Sequence, residues 1–569
     1  MKAAPSPLGY PARGLAWEAM AGWAAHACLF FLFCFRPGVL RSDDFGYIRS
    51  IIGTWQRGRP YTYDWLAPFG AVFSSACALL YKLTGNFYLA TYGFQAFCVL
   101  AFFPLLYLLI AKRLPPRPAA LLALSAVAFP LLLAKESDFH GCIGTLDLVL
   151  VSLLFFESGR YEGFYLAALL AFANRQNQIC LLALPIWAAW EQWRGGGKVT
   201  LRIPMGGALF LAGCATVSLG MNRTYAGTNA VFRTSGPGTF AAAAAVAACA
   251  GIFVAMGAWG VFSTLRIRSG ISRSGGDQGR RQWLFPACAS VALLVLIPFW
   301  PPNLIQTDTP MFGLLGWPQV NRILPWLILP SFWIPDYRLL RPSPYLFLAA
   351  GYIAVASLRG IWWDYYFAEI LILCLLSALD RTGASKDAVV SERSLAPAAY
   401  WVASVLLAGS VAYGYMLKVA MDKQALAVTV MERLDREGRI TVDKMTGATF
   451  GYLGWKLFDY FLTHEGRNYG ELADFVGYVR RDRVVVDTYT PWRRSFKAGL
   501  PTGSELLDRG TYRIGFFSLP YRVADLHGPS AGIPIMGRDM TLDPAQFRSP
   551  RFPLDNQEWK AYLDSLPRL

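Results

Sequence analysis

Two adjacent carboxylates, Asp43 and Asp44, lie directly after the first long apolar run of the chain, within the sequence RSDDFGYIRS. Holding a carboxylate near hydrocarbon is costly, so acidic side chains at the end of a membrane-spanning segment typically mark a functional site, unless they begin a solvated loop. A carboxylate in a water-poor site is also a good proton acceptor. The pair therefore indicates a general base or a cation ligand at a membrane surface.

More polar residues follow in later connections that are predicted on the same face of the membrane. Glu136, Asp138 and His140 lie in the second outer connection, and Arg175 lies in the third. Carboxylate oxygens from separate loops suit a divalent cation such as Mg²⁺ or Mn²⁺, and Glu136 and Asp138 are its predicted ligands. His140 is predicted to bind a substrate hydroxyl or join the metal, although a hydrogen-bonded loop histidine is the simpler alternative.

Basic side chains collect on this outer side too, although the excess of Lys and Arg normally lies in cytoplasmic loops. The guanidinium of Arg presents a fork of donors that matches phosphate geometry. The cations of the first outer connection could therefore hold a phosphate at the membrane surface; they are Arg41, Arg49, Arg57, Arg59 and Lys82. Snorkelling of long side chains at the membrane boundary is the alternative for each of them.

The composition is that of a polytopic membrane protein. Of 569 residues, 55% are hydrophobic and only 16% are charged, far more apolar than one soluble core requires. The net charge of +16 lies mostly in short connections between apolar runs, which the positive-inside rule explains without a nucleic-acid partner. The ten cysteines form no CxxC pair, so neither disulfides nor a cysteine-ligated metal is indicated.

The apolar runs predict an all-α membrane domain over residues 1–418, with about thirteen transmembrane helices. Residues 44–54 and 69–83 show helical alternation and predict short interfacial helices. Residues 419–569 are more polar, and the segments 483–487 and 512–517 are typical of strands. We therefore expect a bacterial inner-membrane protein with a cytoplasmic N-terminus and a small periplasmic α/β domain at the C-terminus.

Several short motifs, in this order, resemble the GT-C superfamily of polytopic glycosyltransferases. The resemblance is closest to the branch that contains the lipid A aminoarabinose transferase and the protein O-mannosyltransferases. It is carried by Asp43-Asp44 and by the segments APFGAVFSSACALLYKLTGN, KESDFHGCIGTLD and NRQNQICLLALP. The chain departs from this branch at residues 66–69, where Leu-Ala-Pro-Phe stands in place of a KPPL sequence, and at residues 359–366, which only approximate a late Arg-Tyr pair.

The resemblance implies an inverting transfer of a sugar from a polyprenyl-phosphate donor to the hydroxyl of a glycolipid, a polysaccharide or a protein in the cell envelope. Asp43 would accept the proton of that hydroxyl. Asp44 would orient Asp43 or join Glu136 and Asp138 at a cation, or else cap the helix that is predicted to start near Phe45. A lipid phosphate leaving group needs a nearby cation, for which Arg322 and Arg359, followed by Arg175 and Lys82, are the predicted contacts.

Two other functions fit the same sequence. A transporter or flippase of lipid-linked sugars would place charges or broken helices near mid-membrane and would often show an internal repeat. No such repeat is visible in the sequence. An enzyme similar to the O-antigen ligases, which uses a diphosphate donor, would depend on Arg and His rather than on an acidic pair. The oligomeric state is not indicated.

Overall fold

The first apolar run forms a helix of membrane-spanning length. In the computed structural model, α1 (Trp17–Leu29) continues through a π-helical turn (Phe30–Cys34). Trp17, Leu32 and other large apolar side chains on this helix are exposed, as lipid-facing side chains would be. The structure describes residues 17–35, 44–60, 70–114, 116–137, 142–222, 343–359, 366–382, 397–439, 484–488, 503–514 and 517–525.

The described part of the chain is mostly helical, as predicted. The helices up to residue 222 are α2 (Asp44–Arg57), α3 (Ala71–Thr84), α4 (Phe94–Ala111), α5 (Pro116–Val127), α6 (Pro130–Glu136), α7 (Cys142–Glu157), α8 (Tyr161–Asn174), α9 (Ala183–Arg194) and α10 (Arg202–Asn222). A π-helical turn (Leu89–Gly93) precedes α4, and a 3₁₀-helix (Gln176–Leu182) precedes α9. The later helices are α11 (Pro344–Arg359), α12 (Tyr366–Thr382) and α13 (Pro397–Arg436).

Three described segments are long and apolar enough to cross a membrane: Trp17–Cys34, Leu89–Ala111 and Arg202–Leu219. The chain is therefore an integral membrane protein. The apolar runs at 344–358, 366–379 and 398–416, which the sequence predicts as spans, coincide with α11, α12 and α13. Two further runs that predict spans, at 283–300 and 313–335, lie outside the described residues. The total of about thirteen spans therefore stays a prediction.

The third predicted span is broken into two helices. Phe129 has extended backbone dihedrals, and Pro130 begins α6. Proline has no N–H to donate within a helix, and its fixed φ suits the first helical position, so a new helix starts there. The break redirects the chain and carries Glu136 into the interior of the bundle, where it is fully buried.

One end of the bundle is fastened by a shared carboxylate. Glu157, the last residue of α7, accepts a hydrogen bond from Arg113 Nη2 at 2.7 Å and lies 3.1 Å from Lys112 Nζ. The hydroxyl of Tyr345, at the start of α11, also donates to this carboxylate. These contacts join α4, α7 and α11. Lys112 and Arg113 directly follow an apolar run, which predicts that this end of the bundle is cytoplasmic; we call it the basic end.

Close packing joins α8 to α10. The ring of Tyr165 lies across Gly206, and its hydroxyl donates to the carbonyl of Ile203 at 2.7 Å. A Cβ at Gly206 would lie 2.1 Å from the Tyr165 ring, whereas a Cβ at the neighbouring Gly207 would lie 3.8 Å from the nearest Tyr165 atom. The Tyr165 ring is held at its hydroxyl and between aromatic neighbours, so it has little freedom to give way.

Gly206→Ala is therefore expected to lower the free energy of unfolding by about 1–3 kcal/mol through overpacking. Gly207→Ala is the matched control, because the same substitution one residue along α10 has room and improves helix propensity. Denaturant titration of both variants in mixed micelles measures the difference. Equal stability of the two variants would contradict the packing argument.

The C-terminal segment contains a three-stranded antiparallel sheet in the order β1 (Val484–Thr488), β3 (Phe517–Asp525), β2 (Glu505–Ile514). The first predicted strand, 483–487, is confirmed as β1. The second, 512–517, is wrong as a single strand, because Ile514 ends β2 and pairs with Phe517, which begins β3. A pattern of alternating residues does not reveal where a chain reverses between two paired strands.

Helix α13 connects the membrane bundle to this sheet. It contains 40 residues, about 60 Å at the usual rise per residue and twice what a bilayer core requires. Near its end Arg433 donates to Asp508 of β2, and Tyr521 of β3 donates to the same carboxylate at 3.1 Å. The pKa of Tyr521 is raised above its ordinary value, chiefly by burial, so the hydroxyl stays a donor. The predicted domain boundary at residue 418 falls within this continuous helix.

Candidate functional site

The structure places five of the nine predicted site residues. Asp44 is the first residue of α2, Lys82 is exposed in the last turn of α3, and Arg359 ends α11. Glu136 and Arg175 are both buried. The four that lie outside the described residues are Asp43, Asp138, His140 and Arg322.

The two predicted interfacial helices, α2 and α3, form and pack against each other. Trp55 of α2 and Tyr81 of α3 make an edge-to-face contact with ring centroids 5.4 Å apart. Gly70, just before α3, has φ +74° and lies so close to the Tyr47 ring that a Cβ would be 2.6 Å from it. Helix α2 begins at Asp44, the first residue of the predicted segment 44–54, so Asp44 lies inside the helix rather than before it as a cap.

Helix α3 is fastened to the end of α8 through Asn174. The side-chain oxygen of Asn174 accepts from the backbone N–H of Phe73 at 3.1 Å, and its carbonyl accepts from the N–H of Gly70 at 2.7 Å. Its side-chain nitrogen donates to Thr145 Oγ1 of α7 at 2.6 Å. Asn174 therefore attaches the hairpin of α2 and α3 to the helical bundle.

A polar network in the segment that begins at Asn174 lies between α8, α11 and α12. Gln178 Nε2 donates to Glu369 Oε1 at 3.0 Å, and the hydroxyl of Tyr352 donates to Gln178 Oε1. Arg175 is 4% exposed and its charge interacts with that of Glu369, which is 1% exposed. We call these five residues, Asn174, Arg175, Gln178, Tyr352 and Glu369, the Gln178 network.

The Gln178 network forms because α8 cannot continue past Asn174. Arg175 has extended backbone dihedrals, φ −152° and ψ 122°, and the chain resumes as a 3₁₀-helix at Gln176. This break turns successive polar side chains inward. In the sequence, the polar residues 174–178 separate two apolar runs and predict a connection at this point. Glu369 was not predicted; the signal available was a carboxylate in the first turn of an apolar segment.

A second polar group lies among α1, α4, α6 and α7. His26 Nε2 and Glu136 Oε1 are 2.8 Å apart, and both side chains are fully buried. Gln95 Nε2 donates to the carbonyl of Glu136 at 3.0 Å. Asp147 of α7, 9% exposed, is near enough for its charge to interact with that of Glu136. We call His26, Gln95, Glu136 and Asp147 the His26 cluster.

The His26 cluster lies deeper than the sequence predicted. His26 is about midway along the span from Trp17 to Cys34, roughly 12 Å from either end. Glu136 is therefore not in an outer connection, as predicted, but at the end of α6 against the middle of α1. His26 was not predicted either, although one ionisable residue within an apolar span is itself a signal of function.

The predicted metal site fits the described residues poorly. Glu136 uses one carboxylate oxygen to bind His26 and is buried against the middle of α1, whereas the predicted cation lies at the membrane surface. No group of three His, Cys, Asp or Glu side chains in the described segments is arranged to hold a metal ion. Asp138 and His140 lie outside those segments, so the metal stays a prediction.

Helix α7 separates the two polar groups. Thr145 contacts the Gln178 network, and Asp147, two residues later, belongs to the His26 cluster. Residues two apart point to nearly opposite sides of a helix, so α7 has a polar contact on each side. The bundle thus holds a layer of buried carboxylates, amides and a guanidinium, which can either bind a polar ligand or specify the helix packing.

Comparison with known proteins adds little to this geometry. No protein-family model matches the sequence, and no curated protein matches it. Among solved structures, the crystal structure of ArnT from Cupriavidus metallidurans bound to undecaprenyl phosphate is similar to this chain with a TM-score of 0.35 and 13% sequence identity. The match covers 90% of this chain and 98% of ArnT. A similarity at this level carries no argument about fold or function.

Proposed function

We propose that the chain is a GT-C glycosyltransferase that moves a sugar from a polyprenyl-phosphate carrier to an acceptor hydroxyl at the membrane surface. The observation that supports this proposal most is the attachment of the α2–α3 hairpin to the Gln178 network through Asn174. The helix that begins with Asp44 is thereby linked to a segment that contains a buried guanidinium. A base near a cation is what this transfer requires.

In the proposed reaction, Asp43 accepts the proton of the acceptor hydroxyl while the hydroxyl oxygen attacks the anomeric carbon of the sugar. The bond from that carbon to the phosphate oxygen breaks with inversion, and the polyprenyl phosphate leaves with the electron pair. Asp44, adjacent in sequence and within α2, orients Asp43. Asp43 and the acceptor must be shielded from bulk water for the carboxylate to be an effective base.

The negative charge of the leaving phosphate requires cationic contacts. Lys82 is exposed at the end of α3 and is available for this role. Arg175 interacts with Glu369, but a guanidinium has five N–H donors and can bind a phosphate as well as a carboxylate. Arg322 and Arg359 are proposed as further phosphate contacts, and His140 as a contact to a substrate hydroxyl.

One observation favours a second function, the transport of lipid-linked sugars. The His26–Glu136 pair lies near mid-membrane, and the helices around it are interrupted by π-helical turns and by the break before Pro130. Intramembrane charges and broken helices are typical of transporters. The polar residues are therefore not confined to the surface at which catalysis is proposed.

The proposed function predicts transfer of radiolabelled sugar from a polyprenyl-phosphate sugar to a hydroxyl acceptor by the purified wild-type chain. The same preparation with EDTA measures the need for a divalent cation. In reconstituted vesicles, a transporter would move the lipid-linked sugar between leaflets without consuming it. Movement without consumption of any donor would reject the glycosyltransferase and support the transporter.

A further inference from the structure

The connection between α9 and α10 is a short ordered loop at the basic end of the bundle. Gln192 Oε1 accepts from the N–H of Thr200 at 2.9 Å, which holds the two ends of the loop together. The guanidinium of Arg194 lies 5.3 Å from the centre of the Trp190 ring. Arg202, the first residue of α10, lies 3.3 Å from Glu162 of α8. Gln192, Arg194 and Arg202 therefore have defined neighbours.

Large apolar and basic side chains are exposed together on this loop. Trp193 and Leu201 are 70% and 73% exposed, and Arg194, Lys198 and Arg202 are also exposed. We call these five residues the Trp193 patch. Exposed tryptophan and leucine beside cations would be unfavourable in water, but they suit the boundary between headgroups and acyl chains.

The position of the Trp193 patch agrees with such a boundary. The apolar segment Arg202–Leu219 is long enough to span a membrane and begins within the patch. Glu162, the partner of Arg202, lies near the start of α8, just after the turn that follows Glu157. The patch is therefore on the same side of the bundle as Lys112 and Arg113, both of which contact Glu157.

We propose that the Trp193 patch binds the phosphate of an anionic phospholipid in the leaflet at the basic end. In the described part of the chain, no carboxylate lies within ion-pair distance of Arg194 or Lys198, so both cations have donors for a headgroup. Glu191 is the one acidic residue between Trp190 and Arg202 in the sequence, which leaves an excess of positive charge. Trp193 and Leu201 contact the acyl region beside that headgroup.

Native mass spectrometry of the full chain in detergent, with added dioleoylphosphatidylglycerol or dioleoylphosphatidylcholine, tests this site. The anionic lipid is expected to bind wild type more tightly than the zwitterionic one. Arg194→Gln/Lys198→Gln is expected to weaken binding of the anionic lipid about tenfold or more and to leave the zwitterionic lipid unaffected. Raising the salt concentration should reduce the difference between the two lipids.

The matched control is Arg509→Gln/Arg513→Gln, which removes the same charge from exposed positions of β2. Trp193→Ala is expected to weaken the binding of both lipids, because the indole contributes apolar contact without charge. All the substituted side chains are exposed, so the thermal unfolding midpoint should not move. Equal binding of the two lipids by wild type, or equal losses in the two double variants, would overturn the proposal.

Discussion

Asp43→Asn is expected to lower the rate constant of sugar transfer by about 10²–10⁴, the usual contribution of a general base. Asparagine keeps the size and hydrogen-bonding capacity of aspartate but cannot take the proton. Asparagine is also as favourable as aspartate at the N-cap position, directly before a helix. Helix α2, which begins at Asp44, should therefore be retained. The measurement is single-turnover transfer from a radiolabelled polyprenyl-phosphate sugar, together with donor binding, which should be unchanged.

Asp44→Asn is the matched control for this experiment. The same chemical change one residue later removes an orienting group but not the proposed base, so the rate should fall less than in Asp43→Asn. An enzyme that uses a diphosphate donor and depends on Arg and His would stay mostly active in the Asp43 variant. Full activity of Asp43→Asn would therefore reject the assignment of this residue as the base.

Glu136→Leu is expected to lower the free energy of unfolding by about 3–5 kcal/mol, because it leaves His26 buried without its partner. Both side chains of the pair are fully buried, and Nε2 and Oε1 are 2.8 Å apart. No water is expected to replace the lost contact at mid-membrane. Denaturant titration in mixed micelles measures the loss.

Two comparisons separate this effect from a general cost of removing a carboxylate. Glu162→Leu removes a glutamate that is 71% exposed and pairs with Arg202, so its expected cost is at most about 1 kcal/mol. The double variant His26→Leu/Glu136→Leu removes both polar groups and should be more stable than Glu136→Leu alone. If the double variant is the less stable of the two, the argument from an unpaired buried group fails.

Much of the helical architecture could be predicted because it depends on local patterns. Apolar length, periodicity or charge predicts the first span, the interfacial helices α2 and α3, the basic end at Lys112 and Arg113, and the strand β1. The polar segment that begins at Asn174 was also identified from its contrast with the apolar residues on both sides. In each case the signal lies within about twenty residues.

The depth and the partners of the buried charges could not be predicted. Glu136 belongs to a segment that hydropathy alone assigns to a loop, and only the break before Pro130 turns it towards α1. Its partner His26 is 110 residues away, and Glu369 is 191 residues from Gln178. A local sequence pattern does not indicate which helices will be neighbours in the folded protein.

By itself, the sequence determined that this protein is a helical membrane protein with an acidic pair after its first span, because hydrophobic length and composition suffice for that conclusion. Only the tertiary structure decided which ionisable side chains pair inside the bundle and how deep they lie. The physical reason is that a buried charge requires a compensating partner, and the packing of helices far apart in sequence decides which residue supplies it.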